Sequence, residues 1–294
     1  MLLEIFFTCN CLNLGNRINR IMKEKDIQRV VFNIRHELER YITAYNLKSL
    51  IIGESGGIDS AICTVLCEPV CKKLGVKLIG RSISIETNSI DEKSRGKAIG
   101  EAFCDDFVDV DLTDQYLNLR DFIEEDLVED PNDRNYRVRV GNIKARLRMI
   151  YLYNLAQKHR GIVISTDNYT EYLQGFWTLH GDVGDVAPIQ HLWKTEVYQL
   201  SQYIVDNELI DDKKKDALQR CIDCVPTDGL GITSSDLEQL GASTYSEVDT
   251  ILKEYSKAPD NSIHENSKVV NRFKATIYKR NNPYNFPRDL LFKL

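Results

Sequence analysis

Between residues 47 and 166 the chain alternates short, β-branched apolar runs with longer stretches of helical period. "LKSLIIG", "VKLIGRSISI", "FVDVDL" and "RGIVIST" read as strands, while "DSAICTVLCEPVCKKLG", "SIDEKSRGKAIGEAF" and "NIKARLRMIYLYNLAQKH" read as helices. Apolar strands separated by helices predict a parallel sheet covered on both sides. With the usual handedness of such crossovers, the expected fold class is α/β: a doubly wound, mostly parallel sheet with helices on both faces. "TDQYLNLRDFIEEDL" reads as an acidic helix, and "EDPNDRNYRVRVG" interrupts the pattern with Pro131 and its asparagines. Beyond about residue 210 the signals are helical and loop-like, which predicts a C-terminal helical appendage rather than a second independent domain.

Met22 precedes "KEKDIQRVVFNIRHELERYITAY", a strongly amphipathic helix. Residues 1–21 are therefore expected to be an extension and residues 22–294 a single domain. The opening "MLLEIFFTCNCLNLG" carries Glu4 and has no basic residue before its apolar stretch, so it makes a poor signal peptide. No apolar run has transmembrane length. Lys+Arg 38 against Asp+Glu 44 leaves a net charge of −6, which argues against a nucleic-acid-binding or anionic-membrane surface. Cys63, Cys67 and Cys71 recur every four residues of one helix, the spacing of small apolar residues packed on a sheet. Cys221 and Cys224 form a lone CxxC and Cys9 and Cys11 a CxC. Without a second CxxC or a nearby histidine, reduced thiols in a cytoplasmic protein are expected rather than a zinc site.

The chemistry starts at "IIGESGGIDSAICTVLC". Gly53, Gly56 and Gly57 let the backbone turn tightly and approach a ligand, with several N–H groups facing one concavity. The next helix begins there, so its dipole favours an anion at the same point. Ser55 and Ser60 add hydroxyl donors. Asp59 would repel a bound phosphate unless a cation stood between them, and Mg²⁺ is the simplest choice. No lysine ends the loop as in Gly-x-x-x-x-Gly-Lys-Ser/Thr, and a dinucleotide Gly-x-Gly-x-x-Gly is absent. The stretch resembles the Ser-Gly-Gly-x-Asp-Ser pyrophosphate loop of the N-type ATP pyrophosphatases. That resemblance implies that Gly53, Glu54, Ser55, Gly56, Gly57, Ile58, Asp59 and Ser60 bind ATP.

Further motifs narrow the resemblance. A helix with Asn142 to Arg146 leads to Ser165-Thr166, Glu171, Gly175-Phe176, Thr178, Gly181-Asp182, Pro188 and Leu192 to Thr195. "VPTDGLGITSSDLEQLGASTYSEVD" and the basic "IYKRNNP" follow in order. From about residue 26 onward this is similar to the NAD synthetases. The resemblance implies that Asp59 and Glu171 hold Mg²⁺ between them, and that Thr166, Lys194 and Thr227 contact ATP. It implies that Asp59, Glu171 and Lys194 carry the catalysis, and that Arg146, Asp185 and Lys279 bind deamido-NAD. A first-turn lysine is disfavoured by the helix dipole, so Lys194 itself asks for an anion nearby. Arg146 has a second reading, as part of a solvated basic face with Lys144 and Arg148. Phe176 and Trp177 either stack on the pyridine ring or pack in the core, and the sequence sends one of them to the core without saying which.

Leu179 stands where many family members carry lysine, Tyr278 where histidine is common, and "TLHGDVGD" is one residue short. These departures bear on the dinucleotide site more than on the ATP chemistry. The resemblance implies ATP-dependent amidation of deamido-NAD by ammonia through an adenylate, in a homodimer. Residues 1–21 are too few for the amidase domain of glutamine-dependent members. Rival readings are a tRNA-modifying pyrophosphatase, disfavoured by the acidic charge, a GMP-aminating one, and a nucleotide-binding module without activity.

Overall fold

Four parallel strands form the sheet: β1 (Ser49–Gly53), β2 (Lys77–Ser84), β3 (Asp106–Asp111) and β4 (Gly161–Val163), in the order β3-β2-β1-β4. The computed structural model describes residues 22–86, 88–123, 130, 133–227, 235–259 and 262–292, so the expected extension, residues 1–21, lies outside the described residues. The chain steps outward from β1 to β3 and then returns to lay β4 against the other edge of β1. Where the winding reverses, connections diverge to opposite faces and leave a crevice at the carboxyl ends of β1 and β4.

Alternation along β1 assigns the two faces. Leu50 and Ile52 enter an apolar cluster with α1 (Glu24–Ala44), α2 (Ile58–Leu74) and α3 (Ile90–Phe103). Helices α7 (Lys194–Asn207) and α8 (Asp212–Asp223) complete that layer. Ile51 faces the other way, towards Leu155 and Ala156 of α5 (Arg134–His159). Helix α4 (Thr113–Ile123) packs beside α5 through Tyr116. Each fully buried Leu or Ile contributes roughly 1.5–3 kcal/mol, so the sheet is held from both sides by side chains its own period dictates. Cys63, Cys67 and Cys71 lie buried within the first layer, and burial pushes the Cys71 thiol up to about 12.

One boundary differs from the expectation. Helix α5 starts at Arg134 rather than near Asn142. Asp133 caps it by accepting from the Tyr136 N–H at 2.9 Å, and Val140 and Ile143 bury against Ile85 and Tyr116. Pro131 lies outside the described residues, and packing outweighs the interior Gly141.

A second apolar cluster joins α6 (Tyr169–Gln174), α9 (Asp236–Leu240), α10 (Tyr245–Lys257) and α11 (Lys268–Ala275) around Leu173, Val248, Leu252 and Val270. Helix α12 (Ile277–Arg280) follows α11. This is the helical C-terminal part, and it flanks the crevice. Among the described residues, no helix is long and apolar enough to cross a membrane.

Candidate active site

A cleft of about 470 Å³ opens at the reversal of the sheet. Gly53, Glu54, Ser55, Gly57, Ile58, Asp59 and Ser60 line it. Gly56 instead turns towards α3. Its φ of +81° is left-handed, and a Cβ there would lie 2.3 Å from the Glu92 carbonyl oxygen. Helix α3 presses equally close at Gly96, where a Cβ would stand 2.6 Å from the Glu54 carbonyl oxygen. Arg95 Nε donates to the Gly56 carbonyl at 2.8 Å and fixes the turn from the same helix. Within the loop, the Ser55 and Ser60 hydroxyls lie 3.0 Å apart and the Gly57 N–H donates to Ser55 Oγ at 3.2 Å. Gly57 has no side chain with which to cap α2, so the first-turn N–H groups remain available to an anion.

Glu54 presents its main chain to the cleft and turns its carboxyl inward. The Thr64 hydroxyl donates to one carboxyl oxygen, and the other is buried without a partner. Burial pushes this acid up to about 8, with the Thr64 hydrogen bond opposing the shift. It is a neutral acid near pH 7.

The three residues expected to carry the catalysis converge. Lys194 Nζ is bound to the Asp59 carboxylate and lies 3.0 Å from Glu171 Oε1. Lys194 is the first residue of α7 and is only 2% exposed. Burial alone would lower its pKa, but Asp59 and Glu171 outweigh that and hold it well above the ordinary value. Glu171 is raised by burial and by Asp59, against the pull of Lys194. Asn168 ties the pair together: Nδ2 donates to Asp59 Oδ1 at 2.9 Å, and Oδ1 accepts from the Glu171 N–H at 3.0 Å. Glu171 Oε2 returns a bond to the Asn168 N–H at 3.3 Å, closing a capping box on α6. Sequence reasoning missed Asn168, although Asn-x-x-Glu is a readable helix-start signature.

A cation thus already stands between two partly buried carboxylates, so the pair has the charge to hold a positive ion. Asp59 and Glu171 suit Mg²⁺ as oxygen donors, with phosphate oxygens and water left to complete the shell. Among the described residues, no group of three or more His, Cys, Asp or Glu makes a metal cage of protein alone.

Thr166 and Thr227 line the cleft as expected, and the Thr227 hydroxyl is bound to the Glu92 carboxylate. Lys279 reaches in from α12, donating to the carbonyls of Gly175 (2.8 Å) and Trp177. Trp177 stacks on Tyr172 at 5.7 Å, whereas Phe176 packs on the second apolar cluster and is the core residue of the two. Cys224, half-buried, borders the same space. Two further acids line it, Asp182 of the Gly181-Asp182 motif and Asp167, which was not singled out beforehand. Burial raises Asp167 and Asp182, and Asp182 accepts from the Thr178 N–H at 2.6 Å.

Two expected dinucleotide residues lie outside the cleft lining. Asp185 accepts from the Val163 N–H at 2.9 Å and the Tyr153 hydroxyl at 3.0 Å, finishing the end of β4. Arg146 is exposed on α5 and donates to the Leu179 carbonyl at 3.3 Å. The shared basic face does not exist. Lys144 is buried 3.1 Å from Glu86, and Arg148 points to the Ile83 carbonyl and Asn88 at the cleft wall.

A concave loop of N–H groups beside a cation held by two carboxylates can bind a triphosphate and neutralise a departing pyrophosphate. The chain as a whole is similar to known proteins. The chain is 30% identical to the NH(3)-dependent NAD(+) synthetase of Finegoldia magna, over 86% of this chain and 93% of that one. It is 31% identical to the protein of that name from Thermoplasma acidophilum, over 82% and 91%. Among solved structures, an NMN synthetase from Francisella tularensis superposes with a TM-score of 0.72 at 23% identity, covering 91% of this chain and 100% of that one. The NH3-dependent NAD synthetase of Campylobacter jejuni gives 0.66 at 19%, over 89% and 100%. The sequence model of the NAD synthase family matches residues 30–286, and the chain belongs to that family.

Proposed function

We infer that this protein is an ATP-dependent ligase that converts deamido-NAD to NAD⁺ with ammonia, releasing AMP and pyrophosphate. The observation that carries the reading is the Asp59–Lys194–Glu171 constellation beside the uncapped start of α2. The nicotinate carboxylate attacks the α-phosphorus of ATP, pyrophosphate leaves, and ammonia then displaces AMP from the acyl carbon. The α2 N–H groups, Ser55 and Ser60 hold the phosphates, and Lys194 meets the charge that grows on the leaving group. Thr166 and Thr227 take the nucleotide from the cleft walls. Mg²⁺, held by Asp59 and Glu171, adds charge neutralisation when bound. No covalent enzyme intermediate is needed, because positioning and the adenylate carry both steps.

Lys279 is the cleft's contact to deamido-NAD. Arg146 is exposed on α5, and a homodimer in which a second copy completes the site is part of the same reading. Ammonia as nitrogen source is supported by relatives named as NH(3)-dependent that this chain matches over about nine-tenths of their length. A cytoplasmic setting belongs to this reading as well.

The test is AMP and pyrophosphate release from ATP with Mg²⁺ and ammonium, with deamido-NAD, nicotinate mononucleotide, XMP or no acceptor. Release that depends on deamido-NAD and yields NAD⁺ one for one is the expected outcome. Release driven by another carboxylate or carbonyl acceptor alone would leave the phosphate chemistry standing and overturn the substrate.

A further inference from the structure

The two helices that deliver Glu171 and Lys194 are joined at their first turns by a residue outside the cleft. Asp249, on α10, is 1% exposed. Its Oδ1 accepts from the Thr170 hydroxyl at 2.5 Å. Its Oδ2 accepts from the Thr195 N–H at 3.1 Å and the Thr195 hydroxyl at 2.7 Å. Thr170 Oγ1 in turn accepts from the Lys194 N–H at 2.9 Å. Thr170 directly precedes Glu171, and Thr195 directly follows Lys194. None of Asp249, Thr170 and Thr195 borders the cleft.

We propose that Asp249 is a positioning residue of the reaction: one buried carboxylate binds the first turns of α6 and α7 and so sets the separation of Glu171 and Lys194. Four physical points support it. Two short helices held by one acceptor move as a unit, whereas apolar packing alone lets them slide. The carboxylate also sits at the positive end of α7, so the same contact favours the helix that starts with an ammonium. Burial raises the Asp249 pKa, and the donors Thr170 and Thr195, one from each helix, together with nearby Lys253, oppose that shift. Helix α10 is itself fixed by the second apolar cluster, through Val248 and Leu252 on either side of Asp249. Groups that act on charge developing in the transition state lose effect when displaced by a fraction of an ångström.

The inference rests on the reading of Glu171 and Lys194 as acting residues, and the experiment separates the two. Steady-state kinetics of the full chain are compared for wild type, Asp249→Ala, Asp249→Asn, Thr195→Val, Leu252→Ala and Glu171→Gln, with the melting temperature of each. Asp249→Ala should lower kcat by about 20-fold or more while the KM for ATP stays within about 3-fold. Asp249→Asn keeps an acceptor for Thr195 and should recover to within about 3-fold of wild type, while Thr195→Val should fall between. Leu252→Ala removes apolar packing but none of the clamp's hydrogen bonds, and should lower the melting temperature while kcat falls far less than in Asp249→Ala. The proposal is overturned if Asp249→Ala keeps its kcat, if activity merely follows melting temperature across the set, or if Asp249→Asn is as slow as alanine. Should the alanine variant not fold, an unchanged kcat in Thr195→Val overturns it alone. If Glu171→Gln is also fully active, the site assignment fails instead.

Discussion

Lys194 sits where elementary electrostatics disfavours a lysine, at the first turn of a helix and 2% exposed, and two carboxylates tip the balance back. Replacing it with glutamine leaves Asp59 and Glu171 facing each other across an uncharged amide. Pyrophosphate release by Lys194→Gln should drop roughly 10²–10³-fold, read as kcat at saturating ATP. Glu54 gives a different test. Its acid is raised to about 8 in the fold from an ordinary value near 4.5, so between those values the folded state keeps a proton that the unfolded chain has lost. Its contribution to stability is therefore greatest below about pH 4.5 and diminishes as pH rises to about 8. Glu54→Gln should remove this slope, so that denaturant midpoints of variant and wild type move in the variant's favour from pH 5 to pH 8. Asp59, Glu171 and Lys194 were legible because each belongs to a motif with its own chemical reason. Asn168 was legible in principle. Asp249 was not, because its partners lie 54 and 79 residues away and nothing local marks the contact.

Among the elements, α3 does more than cover the sheet. Its backbone touches the loop of residues 53–60 at Gly56 and Gly96, and its Arg95 and Glu92 hold that loop and Thr227. Gly96→Ala places a methyl 2.6 Å from the Glu54 carbonyl, a clash with main chain that no rotamer relieves. A loss of about 1–3 kcal/mol is expected, checked by urea titration, together with a raised KM for ATP as the loop shifts. The order of strands and helices was legible because period and punctuation agree there. The start of α5 was not: Pro131 and its neighbours are local turn signals, whereas Val140 and Ile143 owe their helix to contacts with Tyr116 and Ile85. Helix period also separates the three basic residues: Lys144 and Arg148, one turn apart, face Glu86, Ile83 and Asn88, while Arg146 looks out to solvent from the other side.

At the scale of the molecule, the cleft is walled by the sheet on one side and by the C-terminal helices on the other, which lend it Asp236, Gln239, Arg272 and Lys279. On the proposed reading, nucleotide chemistry belongs mainly to one wall and acceptor recognition to the other. Lys279→Met should raise the KM for deamido-NAD about tenfold and leave that for ATP nearly unchanged, a split visible in two substrate titrations. Cys224 stands on that boundary, half-buried at the rim, while Cys63, Cys67, Cys71 and Cys221 are sealed in the core. Slow alkylating reagents should mark Cys224 well before those four, and bound ATP should protect it. A mass shift on one peptide then becomes a clock for how long the cleft stays filled.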